Sequence, residues 1–108
     1  MQLVELHKIY DELTKLDTEI LAISTDNLEQ SRYAVAELAL PFQVLYDIDG
    51  QVPRAYGVFN HFGDGLATGS IFVVGLDGRV TWSYIYRGIN DVVPGNLIVA
   101  AVEAVVVD

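Results

Sequence analysis

Two β-rich runs, Ser70 to Val74 and Arg79 to Tyr86, stand on either side of Leu76-Asp77-Gly78. Short runs of this kind closing on an Asp-Gly pair predict an antiparallel hairpin. This is the sharpest local constraint in the chain, because it makes two strands neighbours whatever the remainder does. Along the second run Trp82, Tyr84 and Tyr86 fall on one face, while Thr81, Ser83 and Ile85 fall on the other. The aromatic face is the more apolar of the two and suits packing beneath a helix. A surface that receives a partner is the alternative use of Trp82, Tyr84 and Tyr86.

Helical spacing flanks this hairpin at both ends of the chain. Leu3, Leu6, Ile9, Tyr10, Leu13 and Leu16 recur on one stripe, with Glu5, Lys8, Asp11, Glu12 and Lys15 opposite. The pattern predicts an amphipathic helix over about residues 2–16. A second helix is expected after Asp91 and Pro94, reaching about Val106, with Leu97, Ile98, Ala101, Val102 and Val105 as its buried stripe.

The middle of the chain alternates. Glu19 to Ser24 is a short apolar run that reads as a buried strand. Asp26 and Glu29 have capping-box spacing, so a helix is expected to about Leu38, with Leu28, Ala34, Val35 and Leu38 inward and Pro41 beyond its end. Phe42 to Tyr46 reads as another strand. Asp47-Ile48-Asp49-Gly50 reads as a turn, followed by a short helix over 51–56 with Pro53 in its first turn and Gly57 as its stop. Residues 60–69 form a loop with three glycines. The order helix, strand, helix, strand, short helix, hairpin, helix argues for a mixed α/β sandwich in a single domain, residues 1–108.

Composition then excludes whole classes of chemistry. The 108 residues contain no cysteine, which removes disulfides, thiolate metal sites and thiol nucleophiles together. Fifteen Asp and Glu against six Lys and Arg leave a net charge of -9. That surface repels nucleic acid and anionic lipid, and no basic patch offsets it. Nothing resembles a secretory leader, and the apolar runs are too short to span a bilayer, so a cytoplasmic location is expected. Hydrophobic residues make up 52% of the chain, enough for a packed core.

The remaining candidate sites are weak on chemical grounds. Asp47 and Asp49 lack the further oxygen ligands and the closing Glu of a calcium loop, and turn chemistry accounts for them. Gly63, Gly65 and Gly69 precede a strand rather than opening a helix, and Asp64 sits among them, which argues against phosphate binding. His7 borders the first helix's apolar stripe. His61 is the one acid–base candidate, with no thiol to activate. No metal or cofactor is expected.

Three segments together resemble the peroxiredoxin, or AhpC/TSA redoxin, family. They are Leu3 to Leu13 leading into Ile20-Leu21-Ala22-Ile23-Ser24-Thr25-Asp26; Leu40 to Gly50 with Ala55-Tyr56-Gly57-Val58; and Ile71-Phe72-Val73-Val74 with Asp77-Gly78-Arg79-Val80. The resemblance implies a thioredoxin-like, three-layer α/β/α sandwich on a mixed sheet. It implies thiol-dependent peroxide reduction or thiol–disulfide exchange, with a thiol reductant as partner. It also implies a reactive Cys near the start of the helix that here begins the chain, and a central strand before it. Both would precede Met1, so the domain is expected to be incomplete at its N-terminus and inactive alone. Gly69 would occupy the position where many relatives carry Arg or cis-Pro. With that strand absent, the sheet is expected to rearrange or its exposed strand edges to recruit a second copy, giving a homo-oligomer. A cysteine-free thioredoxin-like module for binding or assembly is the alternative.

Overall fold

The computed structural model describes residues 2–24, 36–42, 44–47, 49–59, 67–88 and 90–106. The capping box at Asp26 and Glu29, the helical positions Leu28, Ala34 and Val35, and His61 lie outside them. The elements are α1 (Gln2–Lys15), β1 (Ala22–Ser24), β2 (Val44–Tyr46), α2 (Gln51–Ala55), β3 (Ser70–Val74), β4 (Val80–Ile85) and α3 (Gly95–Val106). They fall into two compact units, one of residues 1–19 with 70–108, the other of residues 20–69.

The first unit is built on the expected hairpin. β3 and β4 pair antiparallel, with Ile71 opposite Tyr84 and Val73 opposite Trp82. The register slips after Val73, leaving Thr81 as the extra residue, and its hydroxyl donates to the Val73 carbonyl at 3.2 Å. Such a bulge absorbs one residue without turning the strand's apolar face outward. At the tip Gly78 has φ 83, a left-handed conformation that suits glycine.

Helices α1 and α3 pack on each other. Ile9 and Leu13 of α1 are buried, as are Val93, Ile98 and Val102 around α3. Leu13 and Val93 are 2% and 1% exposed. The contact is close: a Cβ on Gly95 would lie 2.7 Å from Ile9 Cγ2. Any side chain at this position would have to displace the Ile9 methyl. The expectation for Leu97 is corrected, since it is 48% exposed. Ile98 and Val102, one turn apart, define the inward face, and Leu97 sits about 100° round from Ile98.

α1 ends without a glycine. Thr18 N–H donates to Leu13 O at 2.9 Å and Asp17 N–H to Thr14 O at 3.0 Å, with Asp17 at φ 54. That is a Schellman stop, with Asp in the place usually taken by Gly.

The second unit holds the parallel pair β1 and β2, in register Ala22 to Val44 and Ser24 to Tyr46. Both strands are shorter than the sequence suggests. β1 also differs from a buried strand, because Leu21 is 73% and Ile23 45% exposed. A continuous apolar run does not specify how many of a strand's faces are covered, and β2 is the one ladder partner of β1 among the described residues. Leu40, Phe42 and Val58 form this unit's buried apolar set. Residues 36–38 are helical, and Ala39 follows in the left-handed region at φ 50.

The turn into α2 forms as its residues dictate. Gly50 N–H donates to Asp47 O at 3.0 Å, and Asp47 Oδ2 accepts from Val52 N–H at 2.8 Å, satisfying a first-turn amide. Gly50 is left-handed at φ 67, and Phe59 lies against it. Arg54 stacks over the Phe59 ring at 4.0 Å. Gly57, at φ 76, closes α2 through Gly57 N–H to Arg54 O and Val58 N–H to Pro53 O.

Candidate functional site

The densest polar arrangement in the first unit joins the first turn of α1 to the residues that lead into α3. Gln2 Oε1 accepts from the Tyr86 hydroxyl at 2.6 Å and from Val93 N–H at 2.8 Å. Gln2 Nε2 donates to Val93 O at 3.0 Å. One side-chain amide thus pairs with both backbone groups of a nearly fully buried residue, in the manner of a sheet ladder. One turn along, Glu5 Oε2 accepts from Gly95 N–H at 3.3 Å, placing a carboxylate on the first amide of α3.

Asp91 is the second hub. Its Oδ2 accepts from the Tyr84 hydroxyl at 2.9 Å and from Arg87 N–H at 3.0 Å. These two bonds, the Arg87 amide first, hold the Asp91 carboxyl below the usual carboxylate range. The same bond pushes the Tyr84 phenol up. Burial, and then the nearby Asp91 charge, push Tyr86 up to about 12, so its hydroxyl remains a donor throughout the neutral range.

The aromatic stripe of β4 therefore has defined contacts. Trp82, Tyr84 and Tyr86 are half-buried, while Thr81, Ser83 and Ile85 between them are exposed. Trp82 stacks on Tyr84 at 6.4 Å, and Tyr84 meets Tyr86 edge-on at 6.4 Å. The structure brings Tyr84 and Tyr86 into the Gln2 and Asp91 hubs. Sequence reasoning missed Gln2 and Glu5 as partners because their bonds to Val93 and Gly95 span 91 and 90 residues. No periodicity window reports such pairs. Asp91 bonds only 4 and 7 residues away, and in the sequence it reads simply as part of the loop before α3.

Gly69 is exposed and directly precedes β3. Beside it Thr68 is only 8% exposed, its N–H donating to Val58 O at 2.7 Å. The Thr68 hydroxyl is buried with no hydrogen-bond partner among the described residues. Leaving such a group unpaired costs about 1–3 kcal/mol. His7 is exposed on α1. Asp47 works as turn and cap acceptor, and no group of His, Asp and Glu suited to a metal occurs among the described residues. No helix among the described residues is long and apolar enough to cross a membrane.

Comparison with known proteins adds what geometry alone does not. A model of the AhpC/TSA family matches residues 1–83. Among solved structures, Mycobacterium tuberculosis AhpC aligns at TM-score 0.84 and 25% identity, covering 94% of this chain and 58% of that one. Enterococcus faecalis AhpC aligns at TM-score 0.82 and 24% identity, covering 95% of this chain and 63% of that one. Xanthomonas campestris peroxiredoxin Q aligns at TM-score 0.82 and 20% identity, covering 96% and 68%. No curated protein matches the sequence. The chain spans 58% and 63% of the length of the two AhpC chains. The shared fold is the mixed α/β, thioredoxin-like fold of the peroxiredoxins, and with a family match across more than three-quarters of its length, this chain belongs to the AhpC/TSA family.

Proposed function

We propose that these 108 residues form one AhpC/TSA-type domain of a thiol-dependent peroxidase or thiol–disulfide oxidoreductase, serving antioxidant defence and redox homeostasis in the cytoplasm. The reactive thiol comes from outside these residues, so the chain alone does not reduce peroxide. The observation that carries the reading is the pairing of an AhpC/TSA match over residues 1–83 with a complete absence of cysteine. In the chemistry concerned, a thiolate sulfur attacks a peroxide oxygen. The S–O bond forms as the O–O bond breaks, and the departing oxygen leaves as water or alcohol. A second thiol then displaces water from the sulfenic acid to give a disulfide, which a thiol reductant returns to two thiols. Every one of these steps begins at sulfur, and the chain's single sulfur is the Met1 thioether.

Under this reading Gly69 stands where many relatives carry Arg or cis-Pro, so the chain brings no guanidinium to that place. Peroxide consumption by the purified chain, with dithiothreitol as reductant, should match the buffer blank. Turnover above the blank overturns the reading.

A second reading, assembly through exposed strands and the Trp82, Tyr84 and Tyr86 stripe, is favoured by one observation. Leu21, Ile23 and Leu45 are exposed together on the β1–β2 pair. Apolar groups placed side by side in this way favour self-association into a homo-oligomer. Size-exclusion chromatography with light scattering tests it, and a monomer at tens of micromolar removes it.

A further inference from the structure

We propose that Gln2 is a positioning residue: by pairing its side-chain amide with Val93 and Tyr86, it fixes where the chain entering α1 must lie. This rests on the redoxin reading above, in which the family's reactive thiol precedes this helix. The Gln2 side chain is held by three hydrogen bonds of 2.6 to 3.0 Å. Two of them engage the main chain of Val93, which is 1% exposed. Glu5 adds a bond to Gly95 N–H one turn later, and the Gly95 backbone lies against Ile9 two turns in.

These contacts do more than add stability. An amide that both donates to and accepts from one backbone residue sets a direction as well as a distance. Tyr86, the residue after β4, supplies a third anchor, so Gln2 is referenced both to the end of the hairpin and to the α3 entry. A group carried just ahead of Gln2 would inherit that pose. Positioning of this kind matters most for chemistry that fails when a reacting atom moves by about 1 Å.

Amide hydrogen exchange on the full chain tests this, with β3–β4 ladder amides as internal reference. Gln2→Ala should raise exchange at Val93 N–H at least tenfold while the hairpin amides keep their rates. Gln2→Glu retains the acceptor for Val93 N–H and Tyr86 and should restore most of that protection. Tyr86→Phe should give a smaller rise.

Unchanged Val93 exchange in Gln2→Ala, or exchange rising in step with the hairpin, would overturn the proposal. Peroxide turnover by the unmodified chain would instead overturn the redoxin reading and leave the exchange results standing.

Discussion

The two units of this chain are held together in different ways. Residues 1–19 and 70–108 combine a helix contact, with Ile9 and Leu13 of α1 and Ile98 and Val102 of α3 buried, with side chains that satisfy backbone groups about 90 residues away. The described residues of 20–69 hold two three-residue strands, a five-residue helix and local turns, with Ile23 and Leu45 of the strands and the neighbouring Leu21 exposed. They also contain a left-handed Ala39 and an unpartnered buried hydroxyl at Thr68. Both units expose large apolar residues, Leu76 and Leu97 in the first as well as Leu21 and Ile23 in the second. The difference lies in the polar bonds, which in the first unit include spans of 91 and 90 residues. Local opening should therefore be easier in residues 20–69.

Substitutions can break that contrast. The largest effect is expected at Leu13→Ala, which empties a site only 2% exposed and should cost about 2–5 kcal/mol in chemical denaturation. Leu21→Ala should lie within about 0.5 kcal/mol of the parent. Equal costs at the two positions would mean that Leu21 is covered in solution.

Next comes Gly95→Ala. Its new methyl would sit 2.7 Å from Ile9 Cγ2, and moving the helices apart should cost about 1–3 kcal/mol. A drop in melting temperature without loss of helical circular dichroism is the expected observation. No change would show that the α1–α3 contact is looser than described.

In the second unit, two changes should raise stability. Thr68→Val replaces a buried, unpaired hydroxyl by a methyl of the same shape, for a gain of up to about 1 kcal/mol. Ala39→Gly relieves a left-handed residue for about 0.5–1 kcal/mol, net of the entropy that glycine adds to the unfolded chain. A loss on Thr68→Val would show that the hydroxyl has a partner in solution.

The smallest effect concerns pH. The Tyr86 phenol is raised from 10.0 to about 12 in the folded chain, so folding favours its protonated form. The stability this contributes is complete below pH 10 and is lost as pH rises through about 12. Tyr86→Phe should flatten that alkaline limb. Asp91 works in the opposite sense: its carboxyl is lowered, so its contribution is present above the ordinary carboxylate value and fades as pH falls. Asp91→Asn should flatten the acid limb.

How much of this was legible in the residues follows from the range of the interactions. α1, the hairpin and α3 announce themselves through period and turn chemistry, which are local. Gly57 and Gly78 mark their turns because positive φ is a single-residue property. Leu97 was misplaced because a run of apolar residues on α3 blurs which stripe faces inward. β1 was read as buried because composition reports hydrophobicity and not coverage. For the site, the aromatic alternation on β4 was visible, but its partners were not. Gln2 looks like any polar residue opening a helix until residue 93 is placed beside it. The missing thiol was legible at once, since a count needs no structure.

One feature of the architecture bears on how the chain folds. The first unit is discontinuous: the chain leaves it at Glu19 and returns at Ser70. Its closing contacts must bring Gln2 to Val93, so they form only after a long loop has been closed. Closure entropy rises slowly with loop length, by about 0.6 kcal/mol per doubling. Contacts between residues so far apart in sequence are slow to form. The early event open to the chain is the β3–β4 hairpin, whose strands are joined by a few residues. Docking of α1 onto the α3 entry, which joins residues 91 apart, is then expected after the hairpin, with Gln2 among its contacts.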